Sequence, residues 1–162
     1  MTARTTIQSM SGAALALSAI RPATFDATGY ADTDVIASWT DVGEVENFGD
    51  HGMQANVITF TNINDAIVQK LKGSKDYGTM NLVLGNVPAN AGQVLLATAS
   101  ESNNRYSARL TYPLGNGEVT PEIHYLDVLV VSRSFTDGDV NAVRKVAVGL
   151  ALCKKPVEVS AT

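Results

Sequence analysis

From Asp76 to Leu84, and again from Val146 to Cys153, apolar residues recur at every second position, and that period fits only a strand with one face turned to a core. Met80, Leu82 and Leu84 share one face, with Thr79, Asn81 and Val83 on the other. In the last such run Val146, Val148, Leu150 and Leu152 oppose Ala147, Gly149, Ala151 and Cys153. A face of residues that small either packs tightly on another element or lines a space that stays open. Further strands are expected over 13–20, stopped by Pro22, over 35–39, over 42–48 with Gly43 as a bulge, and over 55–61, 105–112, 119–135 and 140–153. The segments Pro113-Leu114-Gly115-Asn116-Gly117 and Asp137-Gly138-Asp139 supply the Gly, Asn and Asp that hairpin turns need. Residues 48–52 read as a loop, and 62–75 as a long connection with a short helical turn near 66–71. One helix is expected where Asn90 and Gln93 stand three residues apart, as in a capping box, ahead of the apolar run 94–99. Such a set of strands with one flanking α-helix is an all-β sandwich or barrel. The 162 residues suffice for one domain, over 13–155, between an N-terminal arm, 1–12, and a C-terminal tail, 156–162.

Apolar residues make up 45% of the chain and charged ones only 17%, so much of the surface is expected to meet protein rather than water. The single cysteine, Cys153, leaves no internal disulfide, which fits synthesis in a reducing compartment. The apolar runs 13–17 and 146–153 are far short of the roughly 20 residues that cross a bilayer. The first run is read as a strand rather than an export signal, because Ser18 interrupts it and Arg21-Pro22 follows where a small-residue cleavage site would stand.

Charge is unevenly spread. Between residues 22 and 69 lie Asp26, Asp32, Asp34, Asp41, Glu44, Glu46, Asp50 and Asp65 with no lysine or arginine among them, and Lys70, Lys72 and Lys75 follow at once. Such a block is commonly a solvated face; its sharper reading is a subunit whose opposite ends attract one another head to tail.

Catalytic constellations are missing. His51, flanked by Asp50 and Gly52, reads as a solvent-exposed loop residue and His124 as a sheet residue, neither at a metal-ligand spacing. No Gly-x-Ser-x-Gly is present, Cys153 sits in an apolar strand, and Gly73-Ser74-Lys75 lacks the rest of a phosphate loop. Asp32-Thr33-Asp34 and Asp137-Gly138-Asp139 do not continue into a calcium loop. No enzyme activity, cofactor or metal is expected. With a net charge of -4 and pI near 5.0, the chain lacks the basic face that grips phosphates.

Four segments in order carry a resemblance: Pro22-Ala23-Thr24-Phe25-Asp26-Ala27-Thr28-Gly29-Tyr30, Trp39-Thr40-Asp41-Val42-Gly43-Glu44-Val45-Glu46-Asn47-Phe48-Gly49, Lys72-Gly73-Ser74-Lys75-Asp76-Tyr77-Gly78-Thr79-Met80 and Asn90-Ala91-Gly92-Gln93. Over 20–152 the chain is similar to the major tail tube proteins of long-tailed bacteriophages with non-contractile tails. It departs from them before the Lys-Gly element, where Asn64-Asp65-Ala66-Ile67-Val68-Gln69 stands in place of an arginine-rich stretch. The resemblance implies hexameric rings whose inner sheets join into one barrel, stacked into a tube that conducts phage DNA. It implies a virion protein made in the bacterial cytoplasm, with tape measure, tail terminator and distal tail proteins as partners. It points to the N-terminal arm and to Phe48, Asp50, His51, Met53, Lys70, Lys72 and Lys75 as contacts between subunits or rings, and to Asp41, Glu44 and Glu46 as acids facing the lumen. The rival readings are a tube protein of a contractile tail or a secretion-system-like ring, and a monomeric β-sandwich binding module.

Overall fold

The structure, a computed structural model, describes residues 7–162. In chain order its strands are β1 (Ala14–Ser18), β2 (Thr40–Val42), β3 (Val45–Asn47), β4 (Gln54–Thr61), β5 (Val68–Asp76), β6 (Thr79–Gly85), β7 (Tyr106–Thr111), β8 (Ile123–Thr136), β9 (Lys145–Leu152) and β10 (Val157–Val159); the helices are α1 (Ala27–Ala31) and α2 (Ala91–Ser100). Eight strands form one sheet, ordered β2-β1-β7-β8-β9-β6-β3 with β10 added on β8, while β4 and β5 form a separate ribbon. Every strand pair is antiparallel.

The two ends of that path, β2 and β3, are parted in the chain only by Gly43 and Glu44, so the sheet curls back on itself. The chain, not a ladder of hydrogen bonds, joins it at this seam. The concave face holds the core: Leu15 and Leu17 of β1, Met80, Leu82 and Leu84 of β6, Leu110 of β7, Leu126 and Val128 of β8, and Val148 and Leu150 of β9. The alternating faces read from sequence are therefore the core faces of β6 and β9. The all-β fold class with a helix at its side holds.

Helix α2 seals the seam. Asn90 Oδ1 accepts from Gln93 N at 3.0 Å, the expected N-cap, and also from Gly43 N at 3.4 Å. Gln93 does not complete the expected box. Its side chain, 7% exposed, donates to Gly85 O at 2.8 Å and Gly43 O at 3.2 Å and accepts from Val87 N at 3.0 Å. One amide thus satisfies three backbone groups where β2, β3 and β6 converge. Gly92 lies so close to the backbone of Asp41 and Val42 that a side chain there has no room.

Several expectations need correction. Residues 35–39 are not a strand: Asp26 caps α1 through Gly29 N at 2.7 Å, Ile36 N closes on Asp32 O at 2.9 Å, and the segment lies over the convex face. There Tyr30, Ile36 and Tyr125 form a second small core. Helix α1 makes two helices rather than one. The connection expected over 62–75 is mostly β5, with no helical turn at 66–71, because Val68, Leu71 and the lysines alternate weakly enough to pass for a polar loop. Only 62–67 remain as its turn. The irregularity expected at Gly43 falls one step on, with Glu44 at φ 59° and the register shift between Val45 and Asn47. Strand β8 begins at Ile123 rather than 119, and β9 at Lys145 rather than 140. Residues 156–162 fold back, adding β10 to β8 and burying Ala161.

Replacing Gln93 with Leu leaves three buried backbone groups without partners, each worth about 1–3 kcal/mol. Urea unfolding of the variant is expected to lose about 3 kcal/mol with an unchanged slope against denaturant.

Candidate assembly surfaces

The β4–β5 ribbon stands apart from the barrel, its substantial contacts being between its own strands. Cross-strand partners share a face. Ile58 lies opposite Leu71 and Phe60 opposite Gln69, whereas Val57 lies opposite Lys72, Thr59 opposite Lys70 and Thr61 opposite Val68. One face thus carries Ile58, Phe60 and Leu71, and the other carries Lys70 and Lys72 together with the exposed Val57 and Val68. Ile58, Phe60 and Leu71 are 54%, 57% and 59% exposed, and Ile63 and Ile67 project from the turn at the tip. A lone two-stranded ribbon is marginal in water, and a contiguous exposed apolar face marks an interaction surface.

The sequence-predicted contact residues cluster on this ribbon and at its root. Lys70 and Lys72 point together from the second face; Lys75, beyond a register shift, lies opposite Ala55. No ion pair joins these three lysines to an acid among the described residues. Met53 and Asp50 are exposed, and Phe48 is half-buried against the main core. His51 is the exception: it is not a solvent-exposed loop residue. Half-buried, its Nε2 lies 2.9 Å from Nδ1 of His124.

A second incomplete surface is the long strand. Strand β7 pairs β8 only as far as Val128 and β9 pairs it to Thr136, so beyond Val128 one edge of β8 has no strand on it among the described residues. Unpaired edges of this kind invite another strand. On the convex side of β6 and β9, Thr79, Asn81, Val83, Ala147, Gly149 and Ala151 form an uncharged face, of which Thr79 and Asn81 are exposed. The small residues read from sequence divide: Gly149 packs tightly against Val131 and Ser132 of β8, while Ala147, Ala151 and Cys153 are half-buried. Glu46 shares that side and is paired with Lys145 at 2.7 Å. Asp41 on β2 and Glu44 in the corner are exposed around the seam.

No local pattern in the sequence pointed to the clasp beneath α1. Asp127, its side chain 0% exposed, accepts from Arg21 Nε at 2.9 Å and Nη2 at 3.0 Å, with Arg105 at 3.7 Å. Tyr30 stacks on Tyr125 with ring centroids 5.0 Å apart, and burial, with the Asp127 carboxylate adding to it, pushes the Tyr30 phenol well above its ordinary value. Arg21 was visible in sequence only as a charge before Pro22, and nothing local paired it with a residue over a hundred positions away. Among the described residues no group of three or more His, Cys, Asp or Glu is placed to hold a metal ion, and no helix is long and apolar enough to cross a membrane.

A curled sheet with one open strand edge and an uncovered apolar ribbon defines a structural subunit that other chains complete. The phage tail tube protein family matches residues 3–161, and the chain belongs to that family: it is a structural subunit of the virion's tail tube. No curated protein matches it in sequence. Among solved structures it is similar to the SPP1 tail tube, with TM-score 0.61 and 13% identity over 91% of this chain and 76% of the other. It is also similar to a chain of the six-fold symmetrised anti-feeding prophage baseplate, with TM-score 0.69 and 13% identity over 96% and 97%. At these identities the likeness is one of fold.

Because the apolar ribbon face touches little in the single chain, the double substitution Phe60→Ser, Leu71→Ser is expected to change the unfolding free energy of the unassembled chain by less than about 0.5 kcal/mol. Thermal or urea unfolding of the two proteins side by side checks this.

Proposed function

We propose that six copies, each one domain from residue 13 through β10 with its N-terminal segment as an arm, close into a ring and that rings stack into a non-catalytic tube through which DNA passes. The observation that carries this is the ribbon: an apolar face exposed in a chain that belongs to the tail tube family. In the stacked tube the ribbon lies on a neighbouring copy, burying Ile58, Phe60 and Leu71 and bringing Lys70, Lys72 and Lys75 against acids of the next subunit or ring. Phe48, Asp50, His51 and Met53, at the ribbon's root, border the same contact. Within a ring the free edge of β8 takes a strand from its neighbour, which removes the exposed edges by closure.

The small uncharged face of β6 and β9 is suited to the lumen wall. A wall whose Lys145 is tied up by Glu46 holds phosphates weakly, since each free lysine contact adds binding free energy that slows sliding. Glu46, neutralised by Lys145, belongs to this wall, and Asp41 and Glu44 extend it round the seam. The N-terminal arm, whose residues 1–6 lie outside the described part, reaches an adjacent ring. Tape measure, tail terminator and distal tail proteins are the expected partners inside and at the ends. The similarity to a six-fold baseplate chain favours a second reading, in which the same closure gives a ring of a contractile or secretion-like particle. Repeated stacking distinguishes the two.

Negative-stain microscopy of purified protein is expected to show hollow tubes. The Lys70→Glu, Lys72→Glu, Lys75→Glu variant is expected to reduce their number at least roughly tenfold, consistent with loss of several complementary charge contacts. Normal tubes from the triple variant overturn the role given to the lysines, and single rings that never stack favour the second reading.

A further inference from the structure

The loop 48–53, one of the ribbon's two roots, lies on the sheet through Phe48, packed against the main core, through Gly49, set against the Asn81 backbone, and through a polar contact at His51. His51 Nε2 and His124 Nδ1 face each other at 2.9 Å, with the rings edge to face. His124 Nε2 lies 3.1 Å from Glu122 Oε1, and Tyr112 Oη lies 3.3 Å from the same His124 Nδ1. A carboxylate accepts only, so in the neutral state His124 carries its proton on Nε2 and presents a bare Nδ1, to which His51 Nε2–H donates. His51 and Tyr112 line a groove of about 720 Å³ between the 10–13 segment and the loop.

The number of protons this pair can hold is limited by its geometry. With none or one added, one facing nitrogen donates and the other accepts, and the bond persists. A second proton puts N–H on both facing nitrogens and two positive rings within hydrogen-bonding distance. We propose that the His51–His124 pair is a pH-sensitive latch that holds the loop 48–53, and so the ribbon's root, against the sheet and releases it when both rings are charged. The groups facing the pair are Asp50 on the loop, Glu122 before β8, Tyr112 beyond β7 and Glu158 on β10. Burial, then the neighbouring His124, lowers the His51 value, while Glu158 and Asp50 oppose that shift. Since folding lowers it, the latch's contribution is fully present above the unfolded value and is lost as pH falls through the folded one. Its consequence for ring stacking rests on the assembly reading above; the latch itself does not.

Side-chain NMR of the two imidazoles in the unassembled chain, with amide exchange of 48–53 followed over the same titration, tests it. The His51 ring is expected to titrate below the ordinary histidine value of about 6.5, with loop exchange rising at least roughly tenfold as the pair takes its second proton. His51→Gln keeps a donor to His124 without a charge, so its loop stays protected across the range; His51→Ala exchanges fast throughout. A His51 ring that titrates at or above the ordinary value, wild-type loop exchange that stays flat across the titration, or a Gln variant as pH-sensitive as wild type overturns the latch. Because the chain is unassembled in this measurement, a failure to form tubes leaves the result standing, and flat exchange in a protein that builds tubes removes the latch alone.

Discussion

The buried Gln93 amide is the contact on which the architecture depends. A curled sheet must bring its two ends together, and here the ends are two short strands joined by a two-residue corner that cannot form a ladder of its own. Backbone groups left at such a corner are costly when buried. Gln93 meets three of them, and Asn90 caps α2 while also reaching Gly43. With the seam held, the core faces of β1, β6, β7, β8 and β9 enclose one apolar interior, and α2 is fixed at its side.

The same economy leaves the rest of the chain incomplete. Strand β8 runs well past the strand on one of its edges, and the ribbon carries apolar side chains into solvent on one face and lysines on the other. Neither feature stabilises the single chain. Both make sense in a tail tube subunit, where the missing partner is another copy. With Lys70 and Lys72 on the face opposite Ile58, Phe60 and Leu71, the ribbon has a side that seals and a side that orients.

Where the pattern was local, the sequence was readable: the alternation in β6 and β9 predicted their core faces, and Asn90 announced the start of α2. The ribbon's second strand was harder to see, because Lys70, Lys72 and Lys75 mask a period of two when neither face is packed. Segment 35–39 looked like a strand from its β-branched and aromatic residues, yet Asp32 turned it and Ile36 packed over Tyr125, a tertiary effect overriding propensity. At the site, the lysines and the loop residues were visible as a charge step and a Gly-flanked loop. The Arg21–Asp127 clasp and the His51–His124 contact were not, since each joins residues far apart in sequence and no local spacing reports a long-range meeting.

The central claim is that copies of this chain complete one another at the ribbon and at the free edge of β8. A cryo-EM reconstruction of the assembly formed by the purified chain tests it most directly. The expected result is Ile58, Phe60 and Leu71 buried against a neighbouring copy and a strand of an adjacent subunit paired with β8 beyond Val128. An assembly in which the ribbon face remains in solvent and that edge remains unpaired would contradict it.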